Sequence, residues 1–340
     1  MALSFDDRIV VCGAGGFIGG HLMGDLVRQG YRNLRGIDAK PVGQWFQRLP
    51  NAENLVLDLR DRTNCQIAVR GAAAVYNLAA DMGGMRFIEH NRALCMLNVL
   101  INTHLLMASL EAGVERFFFS SSACVYGHDK QAHPGVEGLK EADAYPATPE
   151  DGYGWEKLFS ERMCRHFTED FGLTTRVTRY HNVYGPHGTY DGGREKAPAA
   201  ICRKVAIAKL TGTDAIDIWG TGDQTRSFTY ISDCLYGTQA IMSSEVVTFP
   251  INLGSTEQVT INQLVDLVEE IADVRLKRHY NPRAPKGVSG RNSDNTLIRQ
   301  FLLWEPSVLL RVGMEQTYRW IYDQIASGKS REPARSVGCD

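Results

Sequence analysis

The stretch Ile9-Val10-Val11-Cys12-Gly13-Ala14-Gly15-Gly16-Phe17-Ile18-Gly19 decides the fold. Its first four residues form an unbroken apolar run that ends at a glycine, the pattern of a parallel strand buried on both faces. A helix follows: His21 to Gln29 has helical spacing, with Leu22, Leu26 and Val27 on one face before Gly30. Glycines at 13, 16 and 19 give a GxxGxxG turn between them, which brings backbone N–H groups and a helix N-terminus up to a pyrophosphate. Gly13, Gly16, Phe17, Ile18 and Gly19 are therefore the expected dinucleotide cradle. Nineteen residues beyond Gly19, Asp38 closes a second strand, Leu34 to Ile37. A carboxylate there accepts hydrogen bonds from an adenosine ribose and repels a 2′-phosphate, so the expected cofactor is NAD, with Arg35 and Lys40 tempering the preference over NADP. Asp58 and Leu59, after a third strand at Leu55 to Leu57, are expected at the adenine edge.

Strand and helix signals keep alternating outward from this turn. Ala74 to Leu78 reads as a strand, Asn91 to Ala112 as one long helix, and Arg116 to Ser120 as another strand. Right-handed crossovers then give an α/β fold, a doubly wound Rossmann-like parallel sheet covered on both faces. The rhythm breaks near residue 180, where Tyr184-Gly185-Pro186-His187-Gly188 opens an irregular connection, and a helical pattern resumes from Ala197 to Leu210. Residues 1–182, with roughly 225–253, are expected to form the NAD-binding domain. Residues 183–224 and 254–327 are expected to form a smaller C-terminal α/β domain that holds substrate, and 328–340 a loose tail.

Composition removes several classes of function. The 340 residues carry 37 Lys plus Arg against 39 Asp plus Glu, so no field of one sign exists to hold nucleic acid or an anionic membrane. No 18-residue apolar run occurs, and two aspartates precede the first strand where a secretory leader would be basic. Eight cysteines, at 12, 65, 95, 124, 164, 202, 234 and 339, are scattered without a CxxC pair. That is the pattern of reduced thiols and of no metal site, so a cytoplasmic location is expected.

Catalytic chemistry is concentrated in two strings. Tyr153-Gly154-Trp155-Glu156-Lys157 places a phenol and an ammonium on one helix face, where the positive charge is expected to draw the phenol toward its ionised form. Ser120-Ser121-Ser122-Ala123-Cys124 ends an apolar strand about 30 residues upstream, at the carboxyl edge where parallel sheets bind ligands. Tyr153, Lys157 and Ser122 together suit proton removal from a carbinol.

GAGGFIG, SSSACVYG and YGWEK, in this order and spacing, resemble the extended short-chain dehydrogenase/reductase family that acts on nucleotide sugars. The resemblance implies hydride removal from sugar C4 to NAD, with Ser122 on the reacting hydroxyl and Asn98, Leu78 and Ala80 beside the cofactor. Ala123-Cys124 stands where related 4,6-dehydratases carry Asp-Glu, which counts against dehydration. Four further strings, AADMGGM (79–85), GGREKAPAA (192–200), QTRSF (224–228) and GRNSDN (290–295), are similar to the GDP-mannose 3,5-epimerase branch. That likeness implies an isomerisation of GDP-D-mannose to GDP-L-galactose and its 5-epimer GDP-L-gulose, with Cys124 and Lys196 as the acid/base pair on opposite ring faces. Burial and neighbouring charge are expected to bring both pKa values toward 7. Arg226 and Arg291 are candidates for the pyrophosphate, because a guanidinium fork matches phosphate oxygens. Asn182 and Lys204 match positions lining the same site, Glu195 and Gln224 are candidates for sugar hydroxyls, and Gly83 and Gly84 for close backbone approach to the sugar. A homodimer is implied through helices near Asn91 to Ala112 and Tyr153 to Phe167.

Two departures bear on the sugar pocket: Arg86 stands where plant members carry glycine, and Gly127-His128-Asp129-Lys130 replaces a proline-containing segment. The start close to the first strand, without the extension of plant forms, fits a bacterial source. Two alternatives stay open from sequence: a 4-epimerase or decarboxylase of another nucleotide sugar, and a non-catalytic NAD-binding module.

Overall fold

The computed structural model describes residues 3–285 and 287–328. Seven strands form one parallel sheet: β1 (Ile9–Cys12), β2 (Leu34–Asp38), β3 (Glu53–Val56), β4 (Ala74–Asn77), β5 (Arg116–Ser122), β6 (Thr174–Tyr180) and β7 (Ile251–Leu253). Their spatial order is β7-β6-β5-β4-β1-β2-β3. Chain direction across the sheet therefore reverses between β1 and β4, which opens a crevice at their carboxyl ends.

Period-2 alternation explains why the sheet needs two covers. Ile9 and Val11 join Tyr76, Phe118 and Tyr180 on one face. Val10 and Cys12 join Val75, Phe117, Phe119 and Val177 on the other. Helix α1 (Phe17–Arg28) lays Leu22, Met23 and Leu26 on the first face; α2 (Arg62–Val69) and α3 (Asn98–Glu111) lay Cys65, Leu105 and Leu106 on the second. A fully buried Phe such as Phe117, Phe118 or Phe119 contributes about 1.5–3 kcal/mol.

The long helix expected from Asn91 to Ala112 is broken into Arg92–Met96 and α3 at Leu97. The segment Arg92–Glu111 is long and apolar enough to cross a membrane, with a mean hydropathy of 1.6. Its polar side chains explain why it serves as sheet cover here. Asn102 accepts a hydrogen bond from Asn77 at 3.0 Å, and Asn98 holds the backbone of Asp81 on both sides, at 2.7 and 3.1 Å.

Helix α4 (Tyr153–Phe171) carries Glu161, which meets Arg179 of β6 in a buried bidentate pair at 2.7 and 2.9 Å. Beyond β6, α5 (Ala197–Thr211) precedes a small three-stranded sheet in which Thr225–Ser227 lies between Gln258–Thr260 and Gly290–Arg291. Its register sets Arg226 opposite Arg291. Of the expected tail, 329–340 lies outside the described residues.

Two histidines are held neutral, His181 fully buried and His21 half-buried. Burial drives His181 down to about 3 and His21 to about 4. The unfolded chain binds protons on both from about pH 6.5 downward, whereas the folded chain does so only near those lower values. Stability present above pH 6.5 is therefore lost as pH falls toward 4. The urea midpoint is expected to be lower at pH 5 than at pH 7.5; equal midpoints would contradict this reading.

Candidate active site

The glycine turn is built as the sequence requires. Gly13 has φ +85°, and a Cβ there would lie 2.9 Å from the Leu78 carbonyl. At Gly19 a Cβ would fall 2.1 Å from the Gly13 carbonyl oxygen. The turn thus sits flush against β4, and α1 starts at Phe17 behind Gly16, with no side-chain cap and no acid in its first turn. Those free N–H groups and the positive helix end fit a pyrophosphate. Gly19→Ala is expected to lower NAD affinity at least tenfold and to cost about 1–3 kcal/mol of stability, read by NAD titration and urea unfolding. Unchanged values would show that the turn tolerates the methyl.

Around the turn, Asp38 ends β2 and accepts the Lys40 N–H at 2.9 Å, while the Lys40 ammonium reaches the Gly15 carbonyl at 3.3 Å. Asp58 is turned into a pair with Arg60 at 2.6 Å, and that bond holds its carboxyl below the usual range. Leu59 is buried among Cys65, Ala68 and Val69. An adenine edge can therefore meet the Leu59 backbone but not its side chain. Leu78 donates to the Cys12 carbonyl at 3.0 Å. Asn98 is itself buried and fastens the loop at Asp81, one residue beyond Ala80.

At the mouth of the crevice lies a cavity of about 360 Å³. Ser122, Cys124, Tyr153 and Lys196 line it, together with Gly83, Gly84, Asn182, Glu195, Lys204, Gln224, Arg226 and Arg291. Every residue expected to touch substrate is thus brought to one space. Lys157 stands behind it, buried, with its ammonium 5.4 Å from the Tyr153 ring centroid and 3.6 Å from Glu156 Oε2.

The electrostatics differ from the sequence expectation at two groups. Burial pushes the Tyr153 phenol well above its ordinary value, and the charges of Cys124, Glu156 and Cys95 add to this, against a hydrogen bond with Ser122. Lys157, 3.6 Å from Glu156 Oε2, does not reverse the effect. Cys124 moves away from 7: burial and then the Glu150 charge push the thiol up to about 11, outweighing Arg291 and Ser122. Lys196 moves the expected way, since burial lowers it below the ordinary lysine value. At neutral pH the cavity therefore presents a thiol that keeps its proton and an amine that releases one more easily than a free lysine.

Several of these cavity-lining side chains also hold protein groups. Arg291 donates to Glu150 Oε1 at 2.5 Å, Gln131 Oε1 at 2.6 Å and Cys124 Sγ at 3.7 Å, so it braces the thiol before it faces any phosphate. Arg226 donates to the carbonyls of Thr225 and Val288 at 2.7 and 2.6 Å, and burial draws it down to about 10. The glycines at 83 and 84 make room for protein: a Cβ on Gly84 would lie 2.4 Å from the Glu195 carbonyl oxygen, and one on Gly83 2.8 Å from Phe87. Asn182, at φ +43°, donates to the Ser227 carbonyl at 3.0 Å. Lys204 donates to the Asp217 carbonyl at 2.5 Å and Gln224 to that of Trp219 at 3.0 Å. Glu195 Oε1 takes Arg203 at 3.1 Å, while its Oε2 and Arg203 Nε are buried without partners.

Glu150 and Arg203 line the cavity but were not singled out from sequence. Glu150 lies only three residues before Tyr153, in a loop whose chemistry no spacing rule reveals. Arg203 sits on α5 seven residues beyond Lys196, two helical turns along the same face.

A dinucleotide cradle opening onto a Ser-Tyr-Lys group defines an enzyme that oxidises and reduces a carbinol. The chain belongs to the NAD dependent epimerase/dehydratase family, whose pattern covers residues 9–254. It is accordingly an NAD-dependent enzyme of the epimerase type. It is 45% identical over 325 residues to GDP-mannose 3,5-epimerase 1 of Oryza sativa subsp. japonica, covering 95% of this chain and 84% of that one. GDP-mannose 3,5-epimerase of Arabidopsis thaliana is 42% identical over the same shares. Among solved structures, UDP-glucose 4-epimerase of Thermotoga maritima with UDP-glucose superposes with a TM-score of 0.83 at 25% identity, covering 94% of this chain and 99% of that one. MoeE5 in complex with UDP-glucose and NAD superposes with a TM-score of 0.78 at 27% identity, covering 94% and 99%.

Proposed function

We propose that the protein is a nucleotide-sugar 3,5-epimerase that converts GDP-D-mannose to GDP-L-galactose, with GDP-L-gulose as its 5-epimer. The observation that carries this is the joint presence, in one cavity, of the Ser122 and Tyr153 carbinol group with a thiol, Cys124, and an amine, Lys196. A 4-epimerase needs only the first pair.

Bound NAD supplies a reversible hydride acceptor for sugar C4 and a positive ring that favours phenolate beside it. Tyr153 Oη takes the C4 hydroxyl proton while Ser122 Oγ holds the same hydroxyl. Lys157, kept dry behind the tyrosine, fixes the ring and shares its charge. A ketone at C4 makes the hydrogens on C3 and C5 acidic by enolate stabilisation, and inversion then needs proton removal on one face and delivery on the other. Lys196 Nζ removes, since burial favours the neutral amine. Cys124 Sγ delivers, since it holds its proton. Tyr153 returns its proton when C4 is reduced, and the net reaction is an isomerisation.

Half-buried or buried polar groups around the ring, Glu195, Gln224 and Asn182, are suited to sugar hydroxyls, and Arg226 and Lys204 to the anionic nucleotide end. A homodimer is part of the reading. Its support is the exposed apolar set Leu100, Trp155 and Phe159 on the neighbouring helices α3 and α4, and light scattering at micromolar protein reads it. A cytoplasmic setting is proposed on the unbridged state of the seven described cysteines.

The test is product analysis. Purified protein with GDP-D-mannose and no other substrate should yield sugars inverted at C5, and at C3 and C5, by NMR. Inversion at C4, or release of carbon dioxide from a uronic acid nucleotide, would replace this reading with a rival one.

A further inference from the structure

Nothing in the epimerase reading calls for a carboxylate beside the thiol, yet one is buried there. Glu150 is 3% exposed and lines the catalytic cavity. Its backbone N–H donates to the Cys124 carbonyl at 3.0 Å, so the two residues are in fixed register. One guanidinium joins their side chains: Arg291 reaches Glu150 Oε1 at 2.5 Å and Cys124 Sγ at 3.7 Å. The second carboxylate oxygen, Oε2, is buried with no hydrogen-bond partner.

We propose that Glu150 is a positioning residue for Cys124: its carboxylate, anchored by Arg291, sets a negative charge against the thiol, holds the proton on sulfur and so commits Cys124 to the proton-donating role. An arginine alone beside a buried cysteine stabilises thiolate. Glu150 cancels that arginine and adds a like charge against any thiolate that forms. Burial raises the Glu150 carboxyl, and Arg291, Cys124 and His128 together more than reverse this, so the carboxylate stays ionised.

Among the described residues, the other groups facing the thiol do not supply this effect. Arg226 brings positive charge, which favours thiolate, and Lys196, neutral while it serves as the base, brings none. Tyr153 and Cys95 pack beside it as neutral groups, and His128 faces Glu150. Among the described residues, Glu150 is thus the charge that adds to burial in keeping the proton on Cys124. Delivery of the proton leaves a thiolate next to a carboxylate, a strong base that recovers its proton readily from the ammonium of Lys196. Electrons stay in place throughout; one proton moves from C5 to Lys196, one from Cys124 to C5, and one back from Lys196 to Cys124.

As a statement about the reaction this rests on the 3,5-epimerase reading, but its test does not need turnover. Cys124 of the NAD-bound full-length protein is alkylated with iodoacetamide across a pH series and its modification followed by peptide mass spectrometry. Glu150→Gln should shift the alkylation midpoint at least one pH unit lower, about tenfold faster modification at neutral pH. Arg291→Gln should shift it upward. A residue that served packing alone would not move the midpoint in opposite directions in the two variants. A Glu150→Gln midpoint that is unchanged or higher, in a protein that unfolds cooperatively like the parent, overturns the proposal. Should that variant not fold, Glu150→Ala decides in the same assay: a downward shift supports the proposal, and no shift or an upward one overturns it. A shifted midpoint in a protein that leaves GDP-mannose unchanged would retain the role of Glu150 and remove the epimerase reading.

Discussion

Tyr153→Phe is expected to lower turnover of GDP-mannose by about 10²–10⁴-fold, the range for loss of a positioned acid/base group. Only a hydroxyl is removed. The ring stays packed among Ile88, Cys95 and Cys124, so the variant should fold as the parent does and still bind NAD. Without a proton acceptor at the C4 hydroxyl no ketone forms. Deuterium exchange at C3 and C5 should therefore vanish together with turnover, and no reduced cofactor should appear on mixing. Exchange that persists in Tyr153→Phe would show that another group opens the reaction.

Cys124→Ser should separate the two halves of the chemistry. C4 oxidation, read as transient reduction of bound cofactor, is expected to survive, because Tyr153, Ser122 and Lys157 are untouched. Proton exchange at C5 should fall about 10²–10⁴-fold. A serine hydroxyl yields its proton far less readily than a thiol, and the ionised Glu150 disfavours an alkoxide as it does a thiolate. Loss of both signals would make Cys124 a structural residue. Loss of neither would remove it from the reaction.

These two outcomes also mark how far the sequence could be read. The sheet was legible because β1 spells its double burial as four consecutive apolar residues, and the glycines at 13 and 19 are forced by contacts of 2.9 and 2.1 Å that no side chain survives. Tyr153, Lys157 and Ser122 were legible because helix periodicity and a strand end place them. What sequence could not supply is the direction in which a pKa moves. That depends on burial and on which neighbours meet in three dimensions: burial, then Cys124 and Glu156, raise Tyr153, and burial, then Glu150 against Arg291, raises Cys124. Glu150 and Arg291 are 141 residues apart, a separation at which no local pattern exists. The same separation hides why Gly84 must lack a side chain, which comes from the Glu195 carbonyl far along the chain. The break at Leu97 inside an otherwise helical apolar run likewise escaped the periodicity.

In a 3,5-epimerase, protons leave and return at C5 and C3 of the nucleotide sugar while C4 is held as a ketone. The most direct measurement is incubation of the purified protein with GDP-D-mannose in D₂O, followed by NMR of recovered substrate and products. Deuterium at C5 and C3, with none gained at C4, is the result predicted here. Recovery of GDP-mannose and any product with both positions fully protiated would contradict it.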